Sequence, residues 1–135
     1  MSADRALVAA VVSAVKADAG VRAILGDPVR IYDLPPPEPV FPYATLSRVE
    51  SRSTDTSDGE ALEHAMTLHV WSRYGGRAEA IDAIAAVRNA LHDAPLSVAG
   101  RRLVFLFVQF TDVFRSGDTI TTHGVLRLRA VTEAG

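Results

Sequence analysis

Residues 103–110, Leu-Val-Phe-Leu-Phe-Val-Gln-Phe, are the most informative stretch of the chain. They are apolar at both alternating positions, and successive side chains of a strand point to opposite faces of its sheet. A strand of this kind is covered on both sides, so we predict helices on one face and a second layer on the other. That second layer is either a buried core or another copy of the chain.

The segments around this strand predict the rest of a sheet. Residues 119–131 form the next strand, in which Leu126 and Leu128 alternate with Arg127 and Arg129. Earlier in the chain, residues 29–32 and 43–51 are also predicted as strands. A further strand leads up to Trp71, and its two faces hold Leu62, His64, Met66, Leu68 and Val70 on one side and Glu63, Thr67 and His69 on the other.

Two amphipathic segments, residues 3–19 and 77–93, predict helices because their apolar side chains recur at steps of three and four. Ser2 is expected to cap the first helix and Gly20 to end it, while Pro95 stops the second. Residues 21–25 can hold one more helical turn before Gly26-Asp27-Pro28 breaks it. The order of elements predicts one α+β domain over residues 1–135. Its antiparallel or mixed sheet has about four strands, with both helices packed on one face.

A proline-rich run, Leu-Pro-Pro-Pro-Glu-Pro-Val-Phe-Pro at residues 34–42, holds five of the seven prolines. Proline cannot donate a hydrogen bond to a neighbouring strand, so this run is not a central strand. We expect it to be extended over the surface. It is either a stiff connector, the commoner case between two strands, or a ligand for proline-binding modules.

A polar, acidic run, Arg-Ser-Thr-Asp-Thr-Ser-Asp-Gly-Glu at residues 52–60, predicts a long exposed hairpin loop. Asp55, Asp58 and Glu60 are carboxylates that could hold a hard cation. Their spacing lacks the one-three-five pattern and the closing glutamate of a calcium loop. A solvated acidic loop is therefore the favoured interpretation.

Composition and charge exclude several classes of protein. The chain has 135 residues, 14 of them basic and 16 acidic, and a net charge of −2, which excludes binding to nucleic acid by counterion release. The absence of cysteine excludes disulfides, thiolate catalysis and sulfur-ligated metals. No apolar run reaches the ~18 residues of a membrane span, and the N-terminus lacks the basic region of a signal peptide. We therefore expect a cytoplasmic protein.

No group of residues predicts catalysis. His64 and His69 are five positions apart in a strand, so they point to opposite faces and cannot share a metal. His123 meets either of them only if the fold brings it there. No serine lies in a Gly-x-Ser-x-Gly elbow, and Gly75-Gly76 lacks the Lys-Ser/Thr of a phosphate-binding loop. We expect no enzyme activity, no cofactor and no tightly bound metal.

Several segments spread over nearly the whole chain carry a family resemblance. They are ALVAAVVSAVKAD (6–18), GDPVRIY (26–32) with its proline-rich sequel, FPYATL (41–46), LHVWSR (68–73), GRAEA (76–80), LHDAPL (91–96) and HGVLRLRA (123–130). In this order they resemble the tail-completion, or tail-terminator, family of long-tailed phages and gene transfer agents.

The resemblance implies a structural protein that forms a hexameric ring at the head-proximal end of the tail tube. Such a ring stops growth of the tube and presents a surface to the head-side connector. Its expected partners are copies of itself, the tail tube protein and the connector or stopper protein. DNA passes through the lumen without specific binding, and the protein moves from the cytoplasm into the particle. Another ring-forming tail or connector component, or a small-molecule binding module, is the competing interpretation.

Contacts between copies or between rings are expected at charged and aromatic side chains near strand ends and in loops. The candidate contact residues are Asp55, Asp58, Glu60, Trp71, Arg73, Tyr74, Arg115, Asp118, Arg127 and Arg129.

Overall fold

The computed structural model describes residues 2–54 and 60–135. Over these ranges the elements are, in chain order, α1 (Ala3–Ala17), α2 (Ala19–Leu25), β1 (Ile31–Tyr32), β2 (Tyr43–Ser53), β3 (Ala61–Ser72), α3 (Ala78–Leu91), β4 (Arg101–Arg115) and β5 (Thr122–Ala134). The strands form one sheet in the order β1-β2-β3-β5-β4. β1 and β2 are parallel and the other pairs antiparallel. The predicted α+β class and mixed sheet are confirmed. The sheet has five strands rather than about four, and the helical turn expected at residues 21–25 belongs to a separate helix, α2.

The prediction of one helix over residues 3–19, ended by Gly20, is wrong. Asp18 has an extended backbone, with φ −79° and ψ 126°, and separates α1 from α2. Its carboxylate accepts a hydrogen bond from the Val21 N–H at 2.9 Å, which caps α2. Gly20 therefore lies inside the second helix. The predicted cap of α1 is confirmed, because Ser2 Oγ accepts from the Arg5 N–H at 3.1 Å.

The helices cover one face of the sheet, which we call the helix face. On β3 this face carries His64, Met66, Leu68 and Val70, all buried, as the alternation predicts. On β5 it carries Gly124, where an added Cβ would lie 2.6 Å from Ile84 Cγ1 of α3. Only glycine therefore allows α3 to approach β5 this closely. Within residues 2–54 and 60–135, no helix is long and apolar enough to cross a membrane.

The edge strand β4 is partly closed on its outer side. The Leu106 carbonyl accepts from the Asp93 N–H at 2.8 Å, and the Val108 N–H donates to His92 Nδ1 at 3.0 Å. An open strand edge is prone to pair with other chains. The residues that follow α3 satisfy the middle of this edge and protect it.

The acidic hairpin loop is shorter than residues 52–60. β2 continues to Ser53, Arg52 pairs with Glu63, and the Thr54 N–H donates to the Ala61 carbonyl at 2.9 Å. The ladder extends this far because residues 52 and 53 take extended positions opposite β3. Asp55 and Asp58 lie outside the described residues. The proline-rich run lies outside the sheet, as predicted, with Leu34 86% exposed.

Candidate interaction surface

The second face of the sheet, here called the open face, carries aromatic and basic side chains. β4 contributes four phenylalanines to it because of two bulges, where the register shifts between Leu103 and Phe105 and between Val108 and Phe110. Their partners on β5 all have odd numbers and so share one face. These cross-strand pairs are Phe105 with Val131, Phe107 with Arg129, Phe110 with Arg127, and Phe114 with His123.

Three of these rings are strongly exposed. Phe107, Phe110 and Phe114 are 40%, 43% and 40% accessible, and no layer of the described residues covers them. The helix-facing neighbours Leu106 and Val108 are buried. Aromatic side chains that share a surface with arginines are enriched in protein interfaces. The open face along β4 therefore has the composition of an interaction surface.

The two arginines of β5 differ in their partners. Arg129 Nε donates to Glu63 Oε1 at 2.8 Å, and this hydrogen bond is the main reason why the pKa of Glu63 is lowered. Arg127 lies over the Phe110 ring, with its Cζ 4.9 Å from the ring centroid. No carboxylate among the described residues pairs with Arg127. Its guanidinium is available to an anion from outside the chain.

Beside Arg127, the fold brings His69 and His123 together. His69 Nδ1 lies 2.6 Å from His123 Nε2, and Ser47 Oγ lies 2.6 Å from His69 Nε2. Trp71 stacks on the His123 ring at a centroid distance of 3.9 Å. The separation of His64 from His69 onto opposite faces is confirmed, whereas this histidine pair depends on the register between β3 and β5.

Acid is expected to destabilise the fold through this histidine pair. Burial lowers the pKa of both rings, and Arg127 lowers the pKa of His69 further; Asp112 opposes the shift at His123. As pH falls through the ordinary histidine pKa of about 6.5, the unfolded chain binds protons that the folded chain does not, so the free energy of unfolding falls. We expect the urea concentration at the unfolding midpoint to fall when the pH is lowered from about 7 to about 5. An equal drop in the His69→Gln/His123→Phe variant would contradict this attribution.

A second group of predicted residues lies where β3 ends and β4 turns into β5. Arg73 Nε donates to Thr121 Oγ1 at 3.1 Å, and its Nη2 lies 3.9 Å from Asp118 Oδ2. Hydrogen bonds from Thr121 to Asp118 are the main cause that lowers the pKa of this carboxyl. Tyr74 is 67% exposed beside them. Arg115, also exposed, ends β4 at the same end of the sheet.

The chain is similar to known proteins over nearly its whole length. The family model of the tail completion protein gp17 matches residues 9–133. The chain belongs to this family. Gp17 of Bacillus phage SPP1, a tail completion protein, is 28% identical over 102 residues, which are 74% of either chain. A chain from the virion of a native gene transfer agent particle has a TM-score of 0.89 and 30% identity, covering 98% of each chain.

The sequence resemblance to the tail-completion family is thus confirmed. The candidate contact residues do not form one cluster in this family member. Trp71, Arg127 and Arg129 share the open face. Arg73, Tyr74, Arg115 and Asp118 lie at one end of the sheet, and Glu60 precedes β3 at the other, about 40 Å away by the length of a strand of twelve residues.

Sequence analysis did not find the phenylalanine row or the histidine pair. The apolar pattern of residues 103–110 did indicate a second covered face, but the bulges at Val104 and Gln109 shift the alternation. Phe110 and Phe114 therefore lie on the same face as Phe107, although in a regular strand even-numbered and odd-numbered residues lie on opposite faces. In the part of the chain that the structure describes, no three histidine or carboxylate side chains group as a metal site.

Proposed function

We propose that this tail completion family member is a structural subunit of a phage or gene transfer agent particle. Six copies form a ring that ends the tail tube and joins it to the head-side connector. The observation that carries this proposal is the likeness over 98% of the chain to a chain of a gene transfer agent virion. The protein acts by assembly, without catalysis.

The surface of the subunit supports a role in assembly. Three exposed phenylalanines lie beside the guanidinium of Arg127, which has no carboxylate partner among the described residues, and would be covered once copies associate. The cluster of Arg73, Tyr74 and Asp118 at one end of the sheet suits contact with an adjoining ring. Glu60, at the opposite end, is available to arginines of another neighbour.

The charge of the subunit suits a channel through which DNA passes. The net charge is −2, so six copies give no positive field that would hold the phosphates. We propose that DNA passes through the lumen without specific binding. The protein is made in the cytoplasm and ends in the tail of the particle.

Ring formation on isolated tail tubes tests this function. The purified chain is added to tubes from particles that lack it, and tube ends are averaged by electron microscopy. We expect a sixfold ring at one end of each tube, because a terminator binds only where growth stops. The exposed variant Asn89→Ala on α3 is the matched control and should bind equally. Single copies, a fivefold ring or a twelvefold ring would reject the proposal.

A further inference from the structure

The proline-rich segment from Asp33 to Val40 has no role in the fold described so far. It joins β1 to β2 outside the sheet, and its two large apolar side chains, Leu34 and Val40, are 86% and 63% exposed. Proline fixes the backbone φ, so the run Pro35-Pro36-Pro37 loses little entropy on binding. After the prolines the chain bends, since Glu38 has a left-handed backbone with φ 50°.

We propose that this segment of one copy binds the open face of the next copy, along β4. Grooves lined by aromatic side chains are the usual receptors of extended proline-rich segments. The exposed rings of Phe107, Phe110 and Phe114 provide such a surface. The inference rests on the proposed ring, and it names the contact that joins neighbouring subunits.

Charge complementarity supports binding of the proline-rich segment to the open face along β4. In the segment, Asp33 and Glu38 are exposed and have no partner among the described residues. On the open face, Arg127 has no carboxylate partner among the described residues. Most carboxylates on the receiving face already have a partner: Glu50 pairs with Arg48, Glu63 with Arg129 and Glu133 with Arg102. Asp112 would repel the segment. The contact is therefore centred on Phe107, Phe110 and Arg127.

The topology places donor and receptor on opposite sides of the subunit. The segment follows β1, which is one edge of the sheet, whereas β4 is the other edge. A contact between two different patches repeats head to tail from copy to copy, and it closes into a ring when the rotation between copies allows. A contact of a patch with itself gives only a dimer. The proposed contact is thus of the kind that a ring requires.

Disulfide trapping tests the contact, because the natural chain has no cysteine. Leu34→Cys and Phe110→Cys chains are mixed on tail tubes from particles that lack the protein and are then oxidised. We expect a disulfide between the two different chains and none within either chain type. A chain carrying both substitutions should give a ladder up to the full ring. Leu34→Cys with Ile81→Cys, an exposed position on α3, is the control pair and should not link.

The outcomes separate this contact from the proposed function. If rings form on tubes but no disulfide joins positions 34 and 110, the contact is overturned and the ring remains. A disulfide that joins position 110 of two copies has the same meaning. An unmodified chain that does not bind tubes overturns the function and the contact together. Far-UV circular dichroism of each free variant checks that it is folded, which is expected because both positions are exposed.

A charge exchange tests the same contact without cross-linking. Glu38→Arg and Arg127→Glu should each raise the concentration for half-maximal ring formation by about tenfold, since each puts like charges in contact. The double variant should recover most of the loss. Arg88→Glu, at an exposed position on α3, is the control and should have little effect. A double variant as weak as the singles would refute the pairing of Glu38 with Arg127.

Discussion

Cells that produce the particle without this chain are expected to release heads and tails that do not join. In the proposed function the ring joins the tube to the connector, so the yield of joined particles should fall by orders of magnitude. Tube ends would also lack their stop, and tubes should vary in length or exceed the normal length. Negative-stain electron microscopy of the lysate measures both effects in one experiment.

Complementation separates this effect from loss of expression of neighbouring proteins. The natural chain supplied in trans should restore joined particles, and the Asn89→Ala chain should restore them equally. The Arg127→Glu chain should restore few if subunit contacts use the open face. Normal, complete particles in the lysate without this chain would overturn the terminator role and favour a small-molecule binding module.

The sequence predicted the elements whose patterns are local. The alternation of β3 predicted that His64 and Met66 face the helices while His69 faces away, and this is confirmed. The Ser2 cap also depends only on neighbouring residues. The prediction of a single helix over residues 3–19 failed at Asp18. The spacing of the apolar side chains continues past this residue, yet the Asp18 side chain caps a new helix.

The features of the interaction surface depend on long-range register. His69 meets His123 only because β3 and β5 align Trp71 with His123. The phenylalanine row needs two bulges in β4, whose positions follow from its pairing with β5 rather than from any turn residue. A bulge moves every later side chain to the other face, so the bulge at Gln109 decides which face Phe110 and Phe114 occupy. The proline-rich segment was visible in the sequence, but its distance from β4 was not.

His64→Ala is expected to cause a large loss of stability. The ring is fully buried, with Nδ1 2.7 Å from Asp4 Oδ1 of α1 and Nε2 2.8 Å from Thr132 Oγ1 of β5. It thus ties the first turn of α1 to two central strands. Its removal leaves a cavity and takes one hydrogen bond each from Asp4, which keeps Ser51 Oγ, and from Thr132, which keeps Arg101 Nε. We expect the free energy of unfolding to fall by about 3–5 kcal/mol, as for other large-to-small changes in a core.

His69→Ala in the same strand is the matched control for this loss. His69 is only half-buried and lies on the open face, so its truncation leaves space that solvent can fill. We expect a loss of about 1–2 kcal/mol, because the two hydrogen bonds of His69, to Ser47 and His123, are modest individually and water can replace them. Urea unfolding followed by far-UV circular dichroism at about pH 7.5 measures both values. Equal losses for the two variants would show that His64 does not hold α1 against the sheet. A loss for Thr132→Val close to that for His64→Ala would place the effect in the bond to β5 rather than in the bond to α1.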